Sequence, residues 1–228
     1  APLNLVSDSE FNIFSGTFQV NGASNATVPV TGSGNLIKNG AGQLQINGAL
    51  SGYSGDYQLN LGTLAIGGAN AATVDLGTGT GGITLTGTGS ADRTVLRFQN
   101  NGVGNNGDIV YQGNNSVTVQ GAVTINVDRH FISGANSGNT VVLNNLNMDG
   151  GLLQVTGGNN YALRFDGTTT LGGQTNVFFP NTASSPFILA GPITDGASAL
   201  SLIKEGAGRL VIRNSANSFG GITAVKNG

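Results

Sequence analysis

The sequence lacks the residues on which several classes of protein depend. It has no cysteine and a single histidine, so disulfides, thiolate metal sites and histidine clusters are excluded. It has no run of about eighteen apolar residues, so we expect no membrane insertion of this segment. Charged residues make up 9% of the chain and the net charge is -2, which leaves no basic face for nucleic acid. We therefore predict no metal, no other cofactor and no nucleic-acid partner.

Glycine and short β-branched runs dominate what is present. Glycine contributes 39 of 228 residues, well above the usual share of about 7%. Runs such as 83–86, 123–127 and 140–143 are rich in Val, Ile, Leu and Thr and are separated by Gly and Asn. No stretch has capped helical periodicity. The sequence therefore predicts an ordered all-β chain with almost no helix.

One segment occurs twice. Residues 36–46 read Leu-Ile-Lys-Asn-Gly-Ala-Gly-Gln-Leu-Gln-Ile, and residues 202–212 read Leu-Ile-Lys-Glu-Gly-Ala-Gly-Arg-Leu-Val-Ile. A self-match with simple turns between short strands indicates a solenoid, a stack of similar coils. The repeat positions are Leu36, Lys38, Gly40, Gly42, Leu44, Ile46, Tyr53 and Gly55 in the first copy, and Leu202, Lys204, Gly206, Gly208, Leu210, Ile212, Phe219 and Gly221 in the second.

The physical chemistry of the unit predicts a strand, a corner and a second strand. Alternation at period two puts Leu44 and Ile46 on a buried face and the two intervening glutamines on the other. We expect the corner glycines, Gly40 and Gly206 among them, to adopt positive φ or to allow close backbone approach. The lysine ends the first strand, where we expect its charge to reach solvent. An Asn-Gly pair also favours a hairpin, so an antiparallel barrel or sandwich remains the alternative to the preferred parallel coil.

The repeat resembles the autotransporter-associated β-strand repeat of bacterial passenger domains. The resemblance covers residues 36–62 and 202–228, although Asp56 and Tyr57 replace the small and Thr-like residues usual at those positions. It implies a secreted or cell-surface protein that folds as a single-stranded right-handed parallel β-helix, or β-solenoid. It implies no catalytic activity, because the repeat itself carries none.

The chain reads as one β-solenoid domain over residues 1–228. Residues 1–32 form an atypical N-terminal coil, and residues 33–62 and 199–228 form the matching repeat units. Successive aspartates lie 16 to 21 residues apart, which predicts coils of roughly 16 to 24 residues and roughly ten coils in all. These aspartates are Asp56, Asp75, Asp92, Asp108, Asp128, Asp149 and Asp166.

Three functions are compatible with such a coil. The first is an extracellular structural element that forms a surface stalk or assembles head to tail with copies of itself into a filament. The second is an adhesin or glycan-binding passenger that contacts a glycan or host surface, and the third is a carbohydrate-active enzyme, for which no carboxylate pair stands out. An open coil end is normally capped, but a chain cut from a longer passenger would also lack a cap. The residues predicted for an end-to-end contact are Leu3, Leu5, Ile222 and Val225.

Several other features have ordinary structural interpretations. The neighbours Asp92-Arg93 and Asp128-Arg129 point to opposite faces of a strand, so pairing between coils is expected instead. Residues 104–109 faintly resemble a calcium-binding nonapeptide, but a turn with left-handed Asn explains them better. His130 is expected to be a surface or corner residue. The remaining expectations are that Phe98, Tyr161 and Phe165 are core residues and that the sequons at Asn25 and Asn114 are chance matches.

Overall fold

The computed structural model describes residues 2–20, 29–67, 70–90, 93–130, 135–182 and 185–226. All regular structure in these ranges is β-strand, and every strand pairing is parallel. The described residues contain no helix that is long and apolar enough to cross a membrane. The predicted all-β parallel β-helix is therefore confirmed, and the antiparallel alternative is wrong.

The strands line up on three faces, because the chain contributes to each face in turn before it returns one coil further along. The first face consists of two sheets that are not paired with each other. One contains β1 (Leu3–Asn4), β4 (Val30–Gly32) and β7 (Gly52–Tyr53), and the other contains β10 (Thr73–Asp75), β13 (Asp108–Gln112), β15 (Thr140–Leu143), β17 (Ala162–Phe165), β19 (Phe187–Leu189) and β22 (Leu210–Ile212). The second contains β2 (Ser9–Asn12), β5 (Leu36–Asn39), β8 (Tyr57–Leu59), β11 (Ile83–Thr86) and β20 (Ile193–Thr194). The third contains β3 (Thr17–Val20), β6 (Gln43–Ile46), β9 (Gly62–Gly67), β12 (Thr94–Gln99), β21 (Leu202–Lys204) and β23 (Thr223–Val225).

Three long strands span the second and third faces. They are β14 (Val117–Asp128), β16 (Leu146–Gly157) and β18 (Thr169–Pro180). The first part of β14 pairs with β11 and its last part pairs with β12. The pairing register shifts at Gly121, where φ is +85° and a Cβ would lie 2.4 Å from the carbonyl oxygen of Gly87. Only glycine fits this corner without strain.

The core is a set of inward columns in which apolar side chains stack on their counterparts in the next coil. Leu44 aligns with Leu64, which in turn aligns with Leu96. Aromatic rings fill the wider parts, with 4.5 Å between the ring centroids of Phe98 and Tyr111. Phe98, Tyr161 and Phe165 are all fully buried, so the prediction that they are core residues is confirmed.

The coils vary in length more widely than the aspartate spacing predicted. The strand order gives nine successive coils in the described ranges, so the estimate of about ten is not confirmed. Hydrogen bonds between neighbouring coils join residues 21 apart at Asn35 and Asp56 but 34 apart at Asn60 and Thr94. The predicted length of 16 to 24 residues holds for some neighbouring strands, such as β5 and β8, and fails for others, such as β10 and β13, because the aspartates occupy different places in their coils. Asp56 lies at a corner, for example, whereas Asp149 lies within β16.

Candidate functional site

The corner between β5 and β6, where the first repeat copy passes from the second face to the third, is built around a buried lysine. Lys38 is 0% exposed, and its Nζ donates hydrogen bonds to the carbonyl oxygens of Asn39 at 2.8 Å, Gly40 at 2.7 Å and Leu61 at 3.0 Å. Three donors therefore meet three acceptors, which is the full capacity of an ammonium group. Burial lowers the pKa of Lys38 to about 8. The prediction that this charge reaches solvent is wrong, because the corner carbonyls turn inward and need a donor.

The second copy reproduces the arrangement at a different corner, because β21 lies on the third face and β22 on the first. Lys204 is buried, and its Nζ donates to the carbonyl oxygen of Gly206. The corner glycines also agree, since φ is +78° at Gly40 and +79° at Gly206, as predicted. Gly42 and Gly208 have no room for a side chain. A Cβ at Gly42 would lie 2.6 Å from Ile13 Cγ2, and a Cβ at Gly208 would lie 2.6 Å from the carbonyl oxygen of Pro180. The shared residues thus perform the same structural role in both copies.

The later part of the repeat supplies a packed aromatic and a second close approach. The Tyr53 hydroxyl donates to the carbonyl oxygen of Asp56 at 2.8 Å, and burial raises the pKa of this tyrosine. Phe219, the equivalent residue, packs against the core while partly exposed. A Cβ at Gly55 would lie 2.2 Å from the carbonyl oxygen of Gly34, and one at Gly221 would lie 2.3 Å from that of Leu200.

The strand residues of the two copies differ in their burial. Leu36, Leu44, Ile46 and Leu202 are fully buried, as the alternation predicted, whereas Ile212 is exposed. Gln45 faces away from the core and is nevertheless almost completely covered. Its amide belongs to a row in which Gln43 Nε2 donates to Gln45 Oε1 and Gln45 Nε2 donates to Asn47 Oδ1, each at 3.2 Å.

A ladder of Asn and Asp side chains at the corner between the first and second faces was missed by the sequence interpretation. Asn35 Oδ1 accepts from the Asp56 N–H, Asn145 Oδ1 from the Thr168 N–H and Asn217 Oδ1 from the Ile193 N–H, each at 2.9 Å. The ladder satisfies backbone donors where the strands turn. Its signal is an Asn or Asp just before a buried strand.

Arg164 binds two of the regularly spaced aspartates, Asp108 and Asp166. Its guanidinium binds Asp108 with distances of 3.1 and 2.8 Å, and binds Asp166 with distances of 2.6 and 3.1 Å. Both carboxylates raise the pKa of Arg164. Asp108 and Arg164 lie 56 residues apart on β13 and β17, so this ion pair joins different coils. Asp128 instead accepts from the Arg129 N–H and the Asn159 amide, and Asp92 lies outside the described residues.

The remaining candidates are structural. His130 is buried at the turn that follows β14, so of the two predicted placements the surface is wrong, and burial lowers its pKa. Asn106 has φ of +57°, which confirms a left-handed Asn turn in residues 104–109. Asn114 is buried and donates to the Gly55 carbonyl oxygen and Asp56 Oδ1, while the sequon at Asn25 lies outside the described residues. No group of three or more Asp, Glu and His side chains in the described ranges could hold a metal.

The residues predicted for an end-to-end contact fall into two kinds. Ile222 and Val225 are 70% and 67% exposed. Leu3 packs partly buried against the core, and Leu5 is only 3% exposed, so it has little surface to offer a partner. Next to Val225, a cleft of about 440 Å³ opens into the last described coil and is lined by Leu202, Leu210, Ile212 and Thr223, among others.

Comparison with known proteins identifies the repeat. The family model described as the passenger-associated transport repeat matches residues 36–66 and residues 202–228. These matches begin at the same two leucines as the repeat, and the first extends through most of β9. Neither the curated proteins nor the solved structures compared with the chain give a match. The chain is therefore an all-β parallel β-helix in which two segments are similar to the passenger-associated transport repeat of autotransporter passengers.

Proposed function

We propose that the chain is a non-enzymatic structural segment of a secreted or cell-surface passenger, a stiff rod that forms a stalk or assembles end to end into a filament. The observation that carries this proposal is the stack of nine successive coils, whose strands pair in parallel without interruption along the third face. Repeat architectures of this kind extend by adding units, and each unit contacts only its neighbours. Length and stiffness are the properties that such a fold supplies.

The internal construction supports a mechanical role. Buried lysines and Asn ladders satisfy backbone groups at the corners, where an extended stack is otherwise weakest. Every such group that finds a partner avoids a penalty of about 1 to 3 kcal/mol. The repeat motif therefore serves corner stability, and its residues are not available for chemistry on a substrate.

The arrangement of the carboxylates gives no support to glycoside hydrolysis. That chemistry needs one carboxylic acid of raised pKa beside a second carboxylate. The Arg164 guanidinium lies between Asp108 and Asp166 and forms an ion pair with each, so both carboxylates already have a structural partner. The two side chains are best explained as a clamp that joins β13 to β17 across β15.

The proposal includes assembly of the rods end to end. Ile222 and Val225 present exposed apolar surface at the last described coil, and Leu3 lies on the first strand. A further coil would cover Ile222 and Val225, whether that coil comes from the same polypeptide or from a second copy. The partner that we propose is a second copy of this chain, added head to tail.

Negative-stain electron microscopy of the native, full-length product over a range of concentrations tests both parts. Unbranched fibres whose length grows with concentration are expected if copies stack, and single rods of constant length are expected if the segment is a stalk. The Ile222→Asp and Val225→Asp double variant should abolish the fibres, whereas Val103→Asp, at an exposed valine in a loop, should not. Compact particles without a long axis would contradict the structural role altogether.

A further inference from the structure

A polar hollow lies on the outside of the β-helix, where the second face begins. It has a volume of about 310 Å³ and is lined by Asn35, Asp56, Tyr57, Gln58, Gly81 and Thr84. Gln58 and Thr84 stand opposite each other on β8 and β11, in an outward column of the second face. Asn35 and Asp56 are members of the corner ladder.

Glycine at position 81 keeps the hollow open. A Cβ there would lie 2.1 Å from Asp56 Oδ2, so any side chain would displace the carboxylate. The Gly81 N–H donates to Asp56 Oδ1 at 2.8 Å, and the Asn114 amide donates to the same oxygen at 3.0 Å. These two bonds fix the carboxylate in position. They engage Oδ1 and leave Oδ2 directed at the bare backbone of Gly81.

The lining offers both acceptors and donors. Among the described residues, no hydrogen bond is formed by Asp56 Oδ2, Asn35 Nδ2 or the Thr84 hydroxyl. Gln58 uses its Nε2 to donate to Asn60 Oδ1, which leaves its amide oxygen as an acceptor. A carboxylate, two amides and a hydroxyl therefore converge on one small volume.

This combination suits hydroxyl groups better than a metal ion. Neighbouring hydroxyls of a sugar ring can donate to Asp56 Oδ2 and the Gln58 oxygen while they accept from Asn35 Nδ2. Calcium takes about 6 to 8 oxygen ligands, whereas the hollow has one carboxylate and the Asn35 oxygen is already bonded to the Asp56 N–H. The volume lies at the lower end of the range of about 300 to 1,000 Å³ for small-molecule pockets.

We propose that this hollow is a binding site for one neutral hexose unit of a glycan, held by Asp56, Asn35, Gln58 and Thr84. The site does not depend on the structural role proposed above, because a single rod and a filament would both present it. In a filament it would recur once per subunit, so weak single contacts would add up to strong attachment.

Saturation-transfer NMR tests the proposal with methyl α-D-glucopyranoside, methyl α-D-mannopyranoside and methyl β-D-galactopyranoside. The native protein should bind at least one of them saturably in the millimolar range. The double variant Gln58→Leu and Thr84→Val should weaken that binding by about tenfold or more, because it removes two hydrogen-bonding groups from the lining. Gly81→Ala should weaken it similarly by displacing the carboxylate.

Thr170→Val is the matched control. Thr170 lies in the same outward column as Thr84, three coils further along, and should leave binding unchanged. Failure of all three glycosides to bind would overturn the proposal, and so would binding that survives in the double variant. Calcium binding by calorimetry that is lost in the double variant, without any sugar binding, would assign the hollow to a cation instead.

Discussion

Lys38 shows how one residue can decide whether a corner closes. Its aliphatic stem runs through the core, and its ammonium ends against three carbonyl oxygens. Replacement by Met keeps the stem and removes the donors. We expect Lys38→Met to lower the free energy of unfolding by about 3 kcal/mol, because unsatisfied buried acceptors cost about 1 to 3 kcal/mol.

The stability loss of Lys204→Met, measured by urea denaturation, is the comparison for the loss caused by Lys38→Met. Lys204 donates to one carbonyl in the described residues, so its loss should cost about 1 kcal/mol. Equal effects of the two substitutions would contradict the importance of the third acceptor, Leu61 of the next coil.

The same lysine predicts a pH dependence. Its pKa in the folded protein is about 8, below the ordinary 10.5. Between these values the unfolded chain holds more protons, so the contribution of Lys38 to stability rises with pH through this window and is lost as pH falls toward 8. The difference in unfolding free energy between the wild type and Lys38→Met should therefore increase from pH 8 to 10.5. A difference that stays constant or shrinks would contradict the lowered pKa. Because the wild type and Lys38→Met contain the same tyrosines, the effect of tyrosine titration on stability cancels in this difference.

Gly40 tests the backbone of the same corner. Its φ of +78° is strained for a β-branched residue, and a Cβ would lie 2.4 Å from the carbonyl oxygen of Ile13. Gly40→Val should lower the thermal midpoint strongly, by a free energy of about 2 kcal/mol or more, and Gly206→Val should act in the same direction. Gly104→Val is the control, because a Cβ there has open space and the backbone has no positive φ. Similar midpoints for Gly40→Val and Gly104→Val would refute the assignment of the corner.

Among structural elements, the Asn ladder joins each strand start to its neighbour. Asn145→Ala removes the acceptor of the Thr168 N–H, and we expect a loss of about 1 to 2 kcal/mol in urea unfolding. Asn145→Asp should retain most of the stability, because a carboxylate oxygen still accepts this bond. Asn147→Ala, two residues along and facing outward on β16, should be close to neutral. A large effect at Asn147 would indicate that the loss is not specific to the ladder.

The strands themselves were predictable from the sequence, since runs such as 83–86 and 140–143 became β11 and β15 without change. Leu36 and Lys38 lie two residues apart on β5 and are both buried, but the charge of Lys38 argued for solvent. That argument failed because the demand for a donor arises from carbonyls of the corner and of Leu61, which are brought together only by coiling. The hollow at Asp56 was missed for the same reason, as its lining comes from three coils.

At the scale of the whole molecule, the coils should be energetically coupled mainly to their neighbours. Lys38→Met should therefore increase amide hydrogen exchange in β5, β6, β8 and β9, which surround the lysine, and leave β17 and β19 protected. Hydrogen-exchange mass spectrometry at a pH where both proteins are folded measures this directly. Uniform loss of protection along the chain would instead show a single cooperative unit.

Coil length was the property of the fold that could least be predicted from the sequence. Strand segments keep a constant register on each face, whereas the connections between them vary, as between Thr86 and Thr94 on neighbouring faces of one coil. The physical constraint acts on the strands, which must pair, and scarcely on the loops, which lengthen at little entropic cost. Regular spacing of one residue type therefore cannot measure a coil.

The variable connections have a consequence for what such a chain can carry. Coils whose neighbours lie 21 residues away and coils whose neighbours lie 34 away share one stack. Extra residues accommodated at a corner leave the strands above and below undisturbed. The β-helix can thus serve as a display frame, on which a peptide epitope or an entire small domain inserted at an exposed turn such as residues 103–107 would be held at a fixed height along the axis.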